Sequence, residues 1–344
     1  MTRKRQTITY KHYLSDKDFY QISFMKVLTP NTKMADLIEA NYHLLSVLVR
    51  LGIEGAFGER TVGELCEKHH LDTTTFILIC NIYSRKDYHP SEEILKKGSV
   101  EDIIRYLHQS HNYYLNSALV AIAGNMETLI QPCTQAQKQV IWKFFSDYKT
   151  ELDKHFSYEE EMVIPYVKGL LRRKRMPGFS IDKFEENHSS INETLLDLKS
   201  LILKSLPPFC DDTLRVRLLN YLFALQKDLK CHTRIEDEVL VPMVRLIEDP
   251  SAKVGPESPE PEKGSEDSDS NSADILSERE KEILVSVAQG LLNKEIADRH
   301  NISINTVITH RKNITRKTGI KTVAGLTVYA ILNNLLDIND IPQQ

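Results

Sequence analysis

One spacing of histidine, glutamate and proline occurs twice in this sequence. His155, Glu159 and Pro165 stand as H-x3-E-x5-P with His111 upstream, and His232, Glu236 and Pro242 repeat the spacing with His188 upstream. Each member of the second set lies 77 positions after its counterpart in the first. On a helix, positions i and i+4 differ by about 40° in azimuth, so His155 and Glu159 project from one face, as do His232 and Glu236. A chain carrying this pattern has to bring two equivalent helical hairpins together around a polar centre.

The breaks between helical patterns allow that. Four long ones run from about Val100 to Glu248, interrupted at Gln131-Pro132-Cys133, at a Lys/Arg run with Pro177-Gly178, and at Pro207-Pro208. Proline and glycine end helices and open turns at such points. His111 precedes its turn by about twenty residues and His155 follows it by a similar number, so at 1.5 Å per residue both sit roughly 30 Å from the hairpin tip. The same count holds for His188 and His232 about Pro207-Pro208. The four imidazoles therefore meet at one level of an antiparallel four-helix bundle spanning 97–248.

Six ligands then converge: His111, His155, Glu159, His188, His232 and Glu236. They exceed what one tetrahedral zinc needs, and mixed nitrogen and oxygen ligation suits iron or manganese. Two metal ions sharing the two carboxylates is the economical arrangement. The competing reading is a metal-free bundle in which these groups satisfy one another, but six polar side chains in a core without metal are costly. His108 could replace His111 but breaks the 77-residue register. Glu160, Glu161 and Glu238 read as a solvated face, with support of the ligands as the lesser reading.

HFSYEEEMVIP and HTRIEDEVLVP resemble the two ligand motifs of hemerythrin-like domains, specifically those of iron-sulfur-cluster repair proteins. The resemblance covers roughly Val100 to Glu248 and implies a non-haem di-iron centre, oxo- and carboxylate-bridged, held by the same six residues. Upstream, within 31–90, LGIEGAFGERTVGELCEKHHLD resembles the small helical domain that precedes the bundle in those proteins. Ala56 and Phe57 stand where that family usually has a Cys-Cys pair, so the thiols needed for redox or metal-transfer chemistry are missing. His69 and His70 have no partner at metal spacing and read as surface residues. Residues 1–30 show no clean period and carry no assigned chemistry.

Composition narrows the class. Hydrophobic residues at 41% and charged residues at 27% describe an ordinary globular protein, and a net charge of −4 leaves room only for a local basic surface. The five cysteines, Cys66, Cys80, Cys133, Cys210 and Cys231, form no CxxC pair, which fits free thiols in a reducing cytoplasm. No stretch reaches the length of a membrane span, and the basic N-terminus lacks the apolar core of a signal peptide.

Residues 249–274 are rich in proline, serine and acid and read as a flexible acidic tether. Beyond it, in 275–344, Ser277-x-x-Glu280 is a capping box opening a helix that Gly290 stops. Asn293 is expected to cap NKEIADRH, and Ser303 to cap a helix from Ile304 to about Thr318. Two short helices across a tight turn are a helix-turn-helix signal. On the second helix Val307, Ile304, Ile314, Arg311 and Thr318 share a core face. Asn305, Thr309, Lys312 and Arg316 point the opposite way, with Thr306, Asn313 and Lys317 on the flank.

This region is very similar to the LuxR-type helix-turn-helix. By position the resemblance puts Ile308, Thr309 and Lys312 in the major groove and Thr306, Asn313 and Lys317 nearer phosphates. Ile308 departs from the lysine often found there, leaving an apolar touch on a thymine methyl as its available contact. The final helix, VAGLTVYAILNNLL, resembles the family's dimerisation helix, and burial in its own domain is the alternative.

The expectation is thus an all-α protein: a small N-terminal helical domain, a four-helix hemerythrin-like bundle, and a C-terminal four-helix LuxR-type domain that binds double-stranded DNA. The function expected is a cytoplasmic, homodimeric one-component transcription regulator whose bundle senses O2, NO, peroxide or redox state. The alternative is a di-iron enzyme of cluster repair or of NO or peroxide reduction that also binds DNA. Loss of the Cys-Cys pair and gain of a DNA-binding domain favour the non-enzyme.

Overall fold

The computed structural model describes residues 28–53, 55, 57–174, 178–185, 191–249 and 276–340. His188, Ala56, nearly all of the 1–30 segment and nearly all of the 249–274 tether lie outside the described residues. The chain divides into two compact units, Met1–Tyr88 and His89–Gln344. Among the described residues everything regular is helical except one antiparallel bridge between Lys33 and Thr61.

In the first unit α1 (Met34–Ala40), α2 (Leu44–Arg50), α3 (Val62–Lys68) and α4 (Thr73–Ser84) enclose Leu37, Leu44, Val47, Leu65, Phe76 and Ile79. Thr61 and Glu64 form a reciprocal capping box on α3, and the Asp72 carboxylate caps α4. Gly52 closes the turn after α2 at φ +69°, where a side chain would strain the backbone.

The second unit begins with α5 (Glu92–Leu95) and holds the bundle. Its first long helix is α6 (Val100–Tyr113) continued by α7 (Leu119–Leu129), and its second is α8 (Gln135–Tyr158) continued by α9 (Ile164–Leu171). After α10 (Asp182–Glu185), the third helix is described as α11 (Ile191–Lys204), and the fourth is α12 (Asp212–Ile235) continued by α13 (Val241–Glu248). Ser99, Thr134 and Asp211 each accept a backbone N–H at the start of their helices. Tyr114, Phe144, Tyr148, Phe156, Leu195, Leu198, Leu222 and Leu229 fill the space between them.

Each continuation passes through a wider π-helical turn, at Tyr114–Ala118, Glu159–Val163 and Glu236–Leu240. The last two turns begin on the repeated glutamates and run into Pro165 and Pro242. Proline cannot donate to the carbonyl four residues back and its ring crowds it, so the backbone widens by one residue rather than breaking. The turn tips match as well: Cys133 and Cys210, also 77 residues apart, bring their sulfurs to 3.7 Å. Burial pushes the Cys133 thiol up to about 12, so it stays protonated at neutral pH and packs as a hydrophobic contact on the buried Cys210.

The C-terminal domain comprises α14 (Glu278–Ala288), α15 (Asn293–His300), α16 (Ile304–Thr318) and α17 (Val323–Leu332). Ser277 and Glu280 form the capping box of α14, Gly290 follows α14 at φ +82°, and Ser303 caps α16 by accepting from Thr306 at 3.1 Å. The cap of α15 differs from expectation. Asn293 is the first helical residue, not the cap, and its side-chain oxygen accepts from Arg311 at 2.8 Å. The work at that end is done by Glu295, which accepts the Leu292 N–H at 2.7 Å.

Glu280 also binds the Lys317 ammonium at 2.7 Å. Burial would raise its pKa, but the ion pair with Lys317 and the cap at Ser277 outweigh this and hold it low. A depressed carboxylate stabilises above its unfolded value, about 4.3, and that stability is lost as pH falls through the lower folded value. Acid unfolding of this domain is therefore expected to begin below about pH 4.5. Glu280→Gln should weaken it by about 1–2 kcal/mol at neutral pH and flatten the acid limb of its melting curve, both read by circular dichroism.

Candidate metal centre and DNA-reading face

His111 lies in the last turn of α6, four residues after the buried Leu107 and one after Ser110, on a face set by Ile103, Ile104 and Leu107. It is stacked against Phe156, ring centroids 4.4 Å apart and planes 18° apart. Glu159 ends the α-helical part of the second helix, and His232 and Glu236 occupy the matching place on the fourth. Ligand atoms of His111, Glu159, His232 and Glu236 all lie within 4.8 Å of one another, and the four residues are at most 3% exposed.

Within the cluster His111 Nε2 is 2.9 Å from Glu159 Oε2 and 3.2 Å from His232 Nε2, and His232 Nε2 is 3.1 Å from Glu236 Oε1. His155, half-buried beside it, places Nε2 at 2.8 Å from the other Glu159 oxygen. Glu159 thus presents one oxygen to each of two imidazoles. Of the six expected ligands, four form the cluster, His155 borders it through Glu159, and His188 lies outside the described residues.

Electrostatics hold His111 and Glu159 charged and paired. Burial alone would push the His111 imidazole down, but the Glu159 and Glu160 carboxylates, with Glu236 beyond, raise it to about 9. Burial would likewise raise Glu159, and hydrogen bonds from His111 and His155 overcome it, keeping the carboxyl well below its ordinary range.

Glu160 is not the solvated acid the sequence suggested. Its Oε1 takes the Nδ1 side of His111 at 2.6 Å and its Oε2 takes His108 Nδ1 at 2.9 Å, so it bridges two imidazoles of the first helix. His108 itself stays outside the cluster, its side chain 49% exposed. Glu238 pairs with Arg234 at 2.7 Å and with His89 at 3.3 Å. A carboxylate behind a ligating imidazole fixes its tautomer and ring angle. Glu160→Gln is therefore expected to weaken metal binding by about 10–100-fold, measured by competition with a coloured chelator. An unchanged affinity would show that Glu160 serves only the surface.

The donor set fits a hard or borderline metal. Two imidazoles and two carboxylates meet in a dry site without thiolate, a combination suited to iron or manganese and not to soft ions. Two imidazole nitrogens 3.2 Å apart need a shared proton or a cation between them.

On α16, Val307, Ile314 and Thr318 are buried, whereas Asn305, Thr306, Ile308, Thr309, Lys312 and Arg316 are exposed along one side. Ile304, placed with the core face by periodicity, is 45% exposed because it sits in the first turn beyond the edge of the core. Asn313 is half-buried, and the Lys317 ammonium is held by Glu280. Thr309 spends its hydroxyl proton on the Asn305 carbonyl, so its methyl and oxygen lone pairs are what it offers outward.

Residues 102–244 match the family model described as the hemerythrin HHE cation binding domain, and residues 274–330 match that of bacterial regulatory proteins, luxR family. The chain carries a hemerythrin HHE domain followed by a LuxR-family domain. Over its C-terminal region it is similar to two named regulators. It is 48% identical over 59 residues to the transcriptional regulatory protein MctR of Rhizobium johnstonii, covering 17% of this chain and 28% of that one. It is 44% identical over 63 residues to the oxygen regulatory protein NreC of Staphylococcus aureus, covering 18% and 29%. The chain thus spans under a third of the length of these curated relatives. No solved structure matches it.

Proposed function

We propose that this chain is a one-component transcription regulator of the cytoplasm in which a di-iron centre in the bundle is the sensor and the LuxR-family domain binds double-stranded DNA. The observation that carries the reading is the Glu159 carboxylate, buried with one oxygen at His111 and the other at His155 while Glu236 closes the cluster. A carboxylate so placed is built to be shared between two cations. His111, His155, Glu159, His188, His232 and Glu236 hold the pair of iron ions, with manganese the competing metal. Bound there, the metal pair supplies redox chemistry and open coordination for O2, NO or peroxide.

The chain's own groups do the rest. Glu160 orients His111, Phe156 and Tyr114 keep water from the centre, and the cluster bridges the second and fourth helices so that a change in its charge or spacing is felt as strain between the hairpins. The relatives over the C-terminal region are named as regulators, which supports regulation over catalysis. Asn305, Thr306, Ile308, Thr309, Lys312, Asn313, Arg316 and Lys317 are the DNA contacts of this reading, in a homodimer on a two-fold site.

Metal analysis with an absorption spectrum of anaerobically purified protein tests the centre, with about two iron ions per chain and a band that changes on adding O2 or NO as the expected result. Protein without tightly bound metal overturns it. Lys312→Ala is expected to cost about 1–3 kcal/mol of affinity for the target promoter if the side chain reads a base, and to weaken all sequences equally if it meets phosphate. Fluorescence anisotropy over a salt series separates the two.

A further inference from the structure

The metal centre makes no use of the two hairpin tips, and both carry a free thiol. Cys133 and Cys210 each donate a backbone N–H to a carbonyl three residues back, Ile130 and Pro207, at 2.9 and 3.2 Å. Each then runs into the cap of a 24-residue helix, Thr134 for α8 and Asp211 for α12. The two tips are therefore built alike, and their sulfurs meet at 3.7 Å. Their other side chains differ. Ile130, Gln131, Pro132 and Thr134 correspond to Pro207, Pro208, Phe209 and Asp211, and across these five positions the cysteine alone recurs. Packing asks for a small apolar pair there; it does not ask for sulfur twice.

The pair also lies within reach of solvent. Cys133 is 6% and Cys210 3% exposed, but Pro132, Thr134, Phe209 and Asp211 on either side of them are exposed. The thiols thus lie one residue beneath the surface of two short turns, the kind of segment that opens locally at little cost. Charge favours a thiolate once a turn opens. Lys138 and Arg215 stand in the first turns of α8 and α12, beside the positive ends of both helices, and Arg215 is fixed there by donating to the Pro207 carbonyl at 2.9 Å. In the closed arrangement burial outweighs these charges and keeps Cys133 protonated.

We propose that Cys133 and Cys210 are an oxidisable dithiol that closes to a disulfide by exchange with small-molecule disulfides, cross-linking the two hairpins at their tips. The thiolate of one cysteine attacks a sulfur of the incoming disulfide. A mixed S–S bond forms, the old S–S bond breaks, and one small thiolate leaves and takes up a proton. The second cysteine attacks the protein sulfur of the mixed disulfide, forming the Cys133–Cys210 bond and expelling the other small thiol with the remaining proton. Two protein thiols are oxidised, and one small disulfide is reduced to two thiols. The bond joins positions 77 apart, and the loop it closes holds His155, Glu159 and His188. The ligand-bearing bundle thereby gains an input from the surrounding thiol pool that does not pass through metal.

The test equilibrates the reduced full chain with mixtures of oxidised and reduced glutathione, quenches with acid, and maps the cysteines by alkylation and mass spectrometry. The expected product is one intrachain Cys133–Cys210 bond, reversed by dithiothreitol. The glutathione mixture at half-oxidation gives an effective concentration for the pair, expected to be at least about tenfold higher in the folded chain than in the chain unfolded in urea. Folding and bond formation are linked, so the bond must disfavour unfolding by the same factor and raise the urea midpoint of the oxidised chain above that of the reduced one. Cys133→Ser and Cys210→Ser should each abolish that shift, and the wild-type equilibrium decides the matter alone if a variant misfolds. Thiols that stay free in the folded chain, mixed disulfides that never resolve, bonds to other cysteines, or an effective concentration no higher than in urea each overturn the dithiol.

Discussion

Glu159→Ala combined with Glu236→Ala is expected to strip the bundle of nearly all its metal, a fall in affinity of at least about a hundredfold, while leaving the LuxR-family domain folded. The two carboxylates supply half of the four groups that converge within 4.8 Å, and they are the only anions among them. Without them, a cation would face imidazoles alone in a site at most 3% exposed, where charge is costly without a compensating partner. Glu161→Ala is the control, because that side chain is exposed and makes no part of the cluster. Equal metal loss in the control would mean that the motif's general acidity, and not the cluster geometry, retains metal. Metal per chain after gel filtration, with circular dichroism of the C-terminal helices, reads both halves of the expectation.

Phe156→Ala is expected to destabilise the bundle by about 3–5 kcal/mol, the range for removing a buried aromatic. The ring is 2% exposed, stacks on His111, and lies 5.6 Å from Tyr114 with planes 22° apart. Its loss leaves a hollow beside a charged cluster that the surrounding helices, pinned by their π turns, are poorly placed to close. Phe156→Leu should recover much of the stability, because it refills volume without the stack. Urea unfolding of metal-free protein measures this, since bound metal would add its own linkage. A loss below about 1 kcal/mol would show that the site collapses around the gap.

The convergence of Glu159, His232 and Glu236 in a buried cluster was legible because it depends on helix geometry, which the repeated His-x3-Glu spacing states directly. The turns that carry the two glutamates were not. The prolines were visible, but whether a proline breaks a helix or widens it depends on packing from the neighbouring helices. Glu160 reads as a solvated acid because its partners, His108 and His111, come from another helix and only the packing brings them opposite it. Asn293 shows a limit of another kind: a good capping residue sits one position inside the helix, and Glu295 reaches back to do the work.

The repeat has one further consequence. Glu159 meets Glu236 in the cluster, and Cys133 meets Cys210 at the tips, and both are pairs of residues 77 positions apart. A residue can touch its own counterpart only on the axis that relates the halves, so that axis runs from the ligand cluster to the paired sulfurs. A rigid translation of one hairpin against the other displaces both pairs together, whereas a splay hinged at the tips opens the ligand cluster alone. The 3.7 Å sulfur spacing therefore reports a shift that the ligands would also feel, and because both thiols are buried in this arrangement, their reaction with a thiol-directed reagent would read the opening.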